Sequence, residues 1–273
     1  MGKGISSAIW AHISNLVRNF EEIRYSRCSP AYDRDLAFTQ AVKNYPDPNE
    51  LYKYMHQYHH HRCPQPIRDH KNYFKQDHRG FGEDAFHAMW WLLFREFRPN
   101  NCLEIGVYRG QIISLWALCA KLLNINCNVH GLSPFTDAGD AKSTYSDKIE
   151  FYEDTLSHFA SWKLSPPILV RAFSTDEMAF RHISETAWDL IYIDGSHDYE
   201  IAISDYKLCR NHLKPDGLLV LDDAGLESRY HPPRFAFAGH EGPSRIAREN
   251  AAKELQFLCM IGHNLVFRNK ADT

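Results

Sequence analysis

Four acids and one histidine stand where this chain could most readily do chemistry. Glu104 opens a Glu-x-Gly-x-x-x-Gly turn in Cys102–Gly110 (CLEIGVYRG), whose glycines are Gly106 and Gly110. Asp194 ends an apolar run in LIYIDGSHDY, with His197 three residues later in a Gly-Ser turn, and Asp222 and Asp223 end another in LLVLDDAG. A buried strand that breaks at glycine into a helix turns backbone N–H groups toward a small ligand. The same turn can also be purely structural. Its spacing lacks one glycine of the G-x-G-x-x-G pattern that admits a pyrophosphate, so a ligand without phosphates fits better.

Neighbouring carboxylates repel unless a cation or water screens them, and an all-oxygen set suits a hard ion such as Mg²⁺. Asp194 can ligate that ion, and His197 can act as general base on a substrate held beside it. Helix capping is the plainer role for Asp194, and a hydrogen-bonded turn the plainer one for His197. Successive strand residues face opposite ways, so Asp222 and Asp223 reach one cleft together only if the strand has already turned. The run Tyr58-His59-His60-His61 offers imidazoles, but consecutive residues do not converge on one ion, and the run reads as a solvated polar segment.

Alternating strand and helix patterns position these groups. Strands are predicted at Cys102–Ile105, Asn128–Leu132, Ile168–Phe173, Leu190–Asp194 and Leu218–Asp222, with helices at Gln111–Leu123, Lys148–Phe159, Glu177–Ile183 and Glu200–Leu213. Gln256–Ile261 and Asn264–Arg268 flank Gly262-His263 as a hairpin. This is an α/β pattern, a parallel sheet covered by helices on both faces, and its ligands sit beyond the carboxyl ends of the strands. Upstream, Phe86, Met89, Trp90, Leu93, Phe94 and Phe97 form one helical stripe that Asp84 should cap. Arg79-Gly80-Phe81-Gly82 is a flexible stretch that could cover a ligand or act as a linker. An amphipathic helix spans Ile5–Ile23, and residues 26–79 read as an arm with short helices. Residues 1–80 are therefore expected to form an N-terminal helical arm or cap, the seat of any homo-oligomer contact, on a domain of residues 81–273. Gly225–Pro243 is a long loop just past the paired acids, placed either to cover a substrate or to extend over the surface.

The chain has 273 residues and a formal net charge of −3, which gives no basic field for nucleic acid. Its longest apolar stretches, Ala85–Phe94 and Ile112–Leu123, are too short for a transmembrane segment. Seven cysteines, mostly within apolar runs, suit a reduced, cytoplasmic setting. Met1-Gly2 followed by Ser6 fits the loose myristoylation pattern, which also matches many unmodified chains.

CLEIGVYRG, IDGSHDYE and LKPDGLLVLDDAG together resemble the class I S-adenosylmethionine-dependent methyltransferases. Among these the chain looks most like the macrolide-sugar O-methyltransferases and the cephalosporin-hydroxylase-like proteins. The resemblance implies a Rossmann-like seven-stranded sheet closed by one antiparallel strand. It further implies that Glu104, Gly106 and Gly110 cradle the methionine part of S-adenosylmethionine, that Phe173 and Ser174 lie beside the adenine, and that Asp194 adjoins the cofactor. Asp194, Asp222 and Asp223 would hold Mg²⁺, with His197 as base toward a hydroxyl of a small molecule, sugar or glycan. The family's usual ribose-binding acid is replaced by Ser133, a weaker neutral partner, so Asp137 or Asp140 takes that role or affinity falls. A methyltransferase-like scaffold without turnover is the competing expectation. A nicotinamide-dependent oxidoreductase is disfavoured by the glycine spacing.

Overall fold

The computed structural model describes residues 14, 16–136 and 150–270. Helical residues 16–25 (α1) lead into α2 (Phe38–Asn44), α3 (Pro48–His61), α4 (Gln65–Lys75) and α5 (Asp84–Phe97). Then come β1 (Asn101–Ile105), α6 (Gln111–Leu123), β2 (Asn128–Ser133), α7 (Phe151–Ser161), β3 (Ile168–Arg171), α8 (Glu177–Ser184), β4 (Trp188–Ile193), α9 (Tyr199–Asn211) and β5 (Leu213–Leu221). α10 (Glu241–Ile246), β6 (Gln256–Ile261) and β7 (Asn264–Arg268) complete the fold. The seven strands form one sheet in the order β3-β2-β1-β4-β5-β7-β6. β7 runs antiparallel to both neighbours, and the other pairs are parallel. The expected α/β architecture is present, and each predicted strand appears near its predicted bounds, β5 beginning five residues earlier than expected, at Leu213.

Strand pleating divides the core in two. Leu190, Tyr192, Leu218 and Val220 face α3, α5 and α6, whereas Ile191, Ile193, Leu219 and Leu221 face α8 and α9. Continuing the same alternation past each strand end puts Glu104, Asp194 and Asp222 on the α5 side. Trp90 of α5 is fully buried edge-on against Trp116 of α6 and Tyr192 of β4, with ring centroids 5.1 and 5.2 Å away.

The arm is more regular than its sequence suggested. α3 is a 14-residue helix that Asp47 caps through the backbone N–H groups of Asn49 and Glu50. Its Tyr52, Tyr54, Met55 and Tyr58 enter the same core as α5. The histidine run is not a solvated segment. His56 and His59 are buried and His60 bonds Asp84, because α3 turns these side chains toward α5. Asp84 is not the cap of α5 either. Glu83 holds that position, and Asp84 pairs instead with Lys71 at 3.3 Å. Of the predicted Ile5–Ile23 helix, residues 5–13 and 15 lie outside the described residues, and Leu16, Val17, Phe20 and Ile23 are exposed. No described helix is long and apolar enough to cross a membrane.

Trp90 ties the arm-side helices to the sheet, so Trp90→Ala should lower unfolding stability by about 3–5 kcal/mol. Urea denaturation followed by circular dichroism checks this value, and a loss below about 1 kcal/mol would mean that the site collapses around the missing ring.

Candidate active site

The site begins where β1 and β4 end side by side. The Gly106 N–H donates to the Leu132 carbonyl at 2.9 Å, and the Asp194 N–H donates to the Ile105 carbonyl at 2.8 Å. Gly106 has φ +101°, and a Cβ there would collide with the Asp194 carbonyl, so only glycine lets these two turns nest. Gly110, at φ +77°, caps α6 against Thr155. It lies behind the cleft rather than on its wall.

Two clefts meet at this point. One, about 940 Å³ including its open mouth, has Gly106, Ser133, Phe173, Ser174 and Asp194 on its walls. The other, about 1730 Å³ measured in the same way, is lined by Glu104, Asp194, His197, Asp222 and Asp223, among others. Gly106 and Asp194 line both. Ser133 Oγ accepts a long bond from the Phe135 N–H at 3.4 Å and so closes a turn. Asp137 and Asp140 lie outside the described residues. Gly80, Phe81 and Gly82 form one wall of the larger cavity, where the Gly82 N–H donates to Gln111 Oε1 at 2.9 Å. The glycine stretch is thereby pinned to the start of α6.

Both neighbouring acids reach the cavity. β5 ends at Leu221, and Asp223 takes the left-handed φ of +52°, which swings its carboxylate back beside that of Asp222. His197 Nε2 lies 2.8 Å from Asp223 Oδ2, and His240 Nε2 lies 3.8 Å from the same oxygen. The Asp194 and Asp222 carboxyls interact closely enough for Asp222 to raise Asp194, which favours a proton on one of them or a cation between them. Asp222 Oδ1 and Glu104 Oε2 are buried without a hydrogen-bond partner.

Two contributors were not recognised in the sequence. His263, in the β6–β7 turn, places Nε2 3.4 Å from Asp222 Oδ1 and 3.7 Å from Asp223 Oδ1. Its Nδ1–H donates to the Phe237 carbonyl at 3.2 Å, and Nε2 faces the acids, to which the protonated ring presents a second N–H. Glu83 accepts the Tyr52 hydroxyl at 2.6 Å and the Phe237 N–H at 3.2 Å. The pairing of Leu221 with Leu265 sets the hairpin turn that carries His263 against Asp222 and Asp223. The Gly225–Pro243 loop folds back over the cavity rather than away from it. Asn49 fastens it by donating to the Arg229 carbonyl at 3.1 Å and accepting the His231 N–H at 2.7 Å.

Burial dominates the electrostatics. It pushes Asp194 well above the usual carboxylate range, with Asp222 adding to the shift, and it raises Asp222 with help from Asp223. Burial also acts to raise Asp223, but the His197 hydrogen bond and the His263 charge outweigh it and hold this acid low. His263 is raised because Asp222, Glu83 and Asp223 overcome its own desolvation. Among the described residues, Asp222–Asp223–His263 and His197–Asp223–His240 each bring three ligand atoms within 4.8 Å of one another. Oxygen and imidazole donors gathered in this way can hold a divalent cation and move a proton.

Strand order, the antiparallel β7 and the cleft beyond β1 and β4 define the fold of the class I S-adenosylmethionine-dependent methyltransferases. A family model described as a methyltransferase domain matches residues 103–224. A solved structure from Staphylococcus aureus, assigned as a caffeoyl-CoA O-methyltransferase, superposes with a TM-score of 0.56 at 14% identity, covering 81% of this chain and 99% of that one. The S-adenosylhomocysteine-bound methyltransferase PaMTH1 of Podospora anserina gives 0.53 at 12% identity, covering 77% and 89%. In sequence, the chain is 25% identical over 125 residues to the uncharacterized protein R132 of Acanthamoeba polyphaga mimivirus, an overlap of 44% of this chain and 50% of that protein. The chain thus spans about half the length of that curated relative.

Burial raises the Glu104 carboxyl from 4.5 to about 8. The native state therefore keeps a proton that the unfolded chain loses, and this stabilisation, complete below 4.5, disappears as pH climbs to 8. Glu104→Gln, neutral throughout, should gain on the wild type by about 1 kcal/mol per pH unit across that window. Urea denaturation at both ends of the window checks the slope, and an unchanged difference would overturn it.

Proposed function

We propose that this protein is an S-adenosylmethionine-dependent O-methyltransferase that transfers methyl to a hydroxyl of a small molecule, sugar or glycan, with a divalent ion such as Mg²⁺ assisting. The observation that carries this reading is the meeting of two clefts at Gly106 and Asp194, beside a His197–Asp223 pair. Glu104 Oε2, buried and without a partner, suits the ammonium of a methionine moiety, and Gly106 leaves the room that a side chain would fill. Phe173 and Ser174 suit an adenine ring, and Ser133 can offer a neutral contact to ribose. Bound S-adenosylmethionine would supply an electrophilic methyl group on a sulfonium. Asp194, Asp222 and Asp223 would hold the cation, whose charge favours the alkoxide form of an acceptor hydroxyl.

His197 takes the hydroxyl proton. The Asp223 carboxylate, 2.8 Å from His197 Nε2, orients the ring and stabilises its protonated form. Phe237 and His240, on the loop over the cavity, exclude water and hold the acceptor in line. The exposed rings of Phe81 and Phe237, on a cavity also lined by acids and histidines, suit a ring that bears hydroxyl groups. In this reading residues 1–80 act as a cap on the domain of residues 81–273.

Calorimetric titration with S-adenosylmethionine, with and without Mg²⁺, tests the proposal. Wild type should bind, and Asp194→Ala should lose the metal effect. His197→Ala should keep cofactor affinity while lowering kcat roughly 10²–10⁴-fold on any sugar or phenol that is methylated. Folded protein that binds no cofactor in either condition would replace the enzyme with a methyltransferase-like scaffold.

A further inference from the structure

A second group of ligand-type side chains lies between α3 and α5, apart from the acids at the strand ends. His56 and His60 sit one helical turn apart on α3, and Asp84 opens α5 opposite them. One ligand atom from each lies within 4.8 Å of the other two. His60 Nε2 is 2.9 Å from Asp84 Oδ2, and the ring centroids of His56 and His60 are 5.0 Å apart.

The tautomer of His56 follows from its neighbours. Ser26 Oγ donates to the Glu22 carbonyl at 2.7 Å, so toward His56 it can only accept, and the Nε2–H of His56 donates to it at 3.0 Å. Nδ1 is then a bare lone pair. It is buried and has no hydrogen-bond partner, on a residue that is 1% exposed. A buried imidazole whose second nitrogen is oriented by a neighbouring oxygen is the arrangement of a metal-bound histidine.

We propose that His56, His60 and Asp84 form a transition-metal site of the Zn²⁺ class that clips α3 to α5. Two imidazoles and one carboxylate select such an ion over Mg²⁺ or Ca²⁺. Ligands at about 2.0–2.1 Å in a tetrahedral site lie roughly 3.3 Å apart. The His60–Asp84 pair therefore opens by about 0.4 Å as the ion replaces their hydrogen bond. Lys71 faces Asp84 through the other oxygen, Oδ1 at 3.3 Å, and leaves Oδ2 to the ion. The His60 side chain is 34% exposed, which gives the ion a path and leaves the fourth position to water. Glu83 precedes Asp84 and touches the loop over the cavity, so the clip fixes the end of α5 that faces the acids.

The test uses the full chain, stripped with EDTA, in an Asp222→Asn/Asp223→Asn background that removes the other clusters. Titration with ZnCl₂ should show one equivalent bound and a raised melting temperature. Co²⁺ should give the visible band of a tetrahedral site. His60→Ala in that background should weaken Zn²⁺ by at least about tenfold, since even outer partners of a metal site are worth that much. His60→Cys should retain the ion and add a sulfur-to-cobalt charge-transfer band. Absence of Zn²⁺ binding by the folded background protein, or affinity unchanged by His60→Ala, would reduce the cluster to a buried Lys71–Asp84 ion pair with histidine neighbours.

Discussion

The arrangement depends on confining five carboxyl groups, those of Glu83, Glu104, Asp194, Asp222 and Asp223, in one largely dry space. Each is costly to ionise there, and each raises the cost for the next. The chain answers with few counter-charges. His263 stands against Asp222, Asp223 and Glu83, and His197 stands against Asp223. Such a concentration of acid is unfavourable for folding alone, and it is stabilised by whatever cation or proton occupies it. The surrounding fold serves to keep these groups together, with β1, β4 and β5 setting three of them in register, a left-handed residue turning the fourth inward, and the start of α5 supplying the fifth.

The sheet was legible in the sequence because buried parallel strands are short apolar runs with glycine or acid at their ends. Glu104, Gly106, Asp194, His197, Asp222 and Asp223 could be placed at one edge from that pattern alone. His263 was hidden because its turn is adjacent to β5 only through the antiparallel register of β7, a long-range fact that no local period carries. Glu83 was hidden for the opposite reason, since an acid before a helix has an ordinary local explanation as a cap.

The histidine run misled for a related cause. Polar composition suggested solvent, but helical geometry sends His56 and His59 inward and lets His60 reach α5. A polar residue is buried when its partner waits on another helix, and the partner here, Asp84, sits where an acid ordinarily caps a helix. The same misreading therefore concealed both halves of the contact.

Asn49 holds the Arg229–His231 stretch of the loop over the cavity by two hydrogen bonds, and Tyr52 meets Tyr230 ring to ring at 5.3 Å. That stretch of the loop is thus anchored to a helix that carries none of the proposed catalytic groups. Changes near Asn49 would retune how readily the cavity opens while leaving the acids and His197 untouched. Substrate preference and reaction chemistry could then evolve on separate parts of the chain.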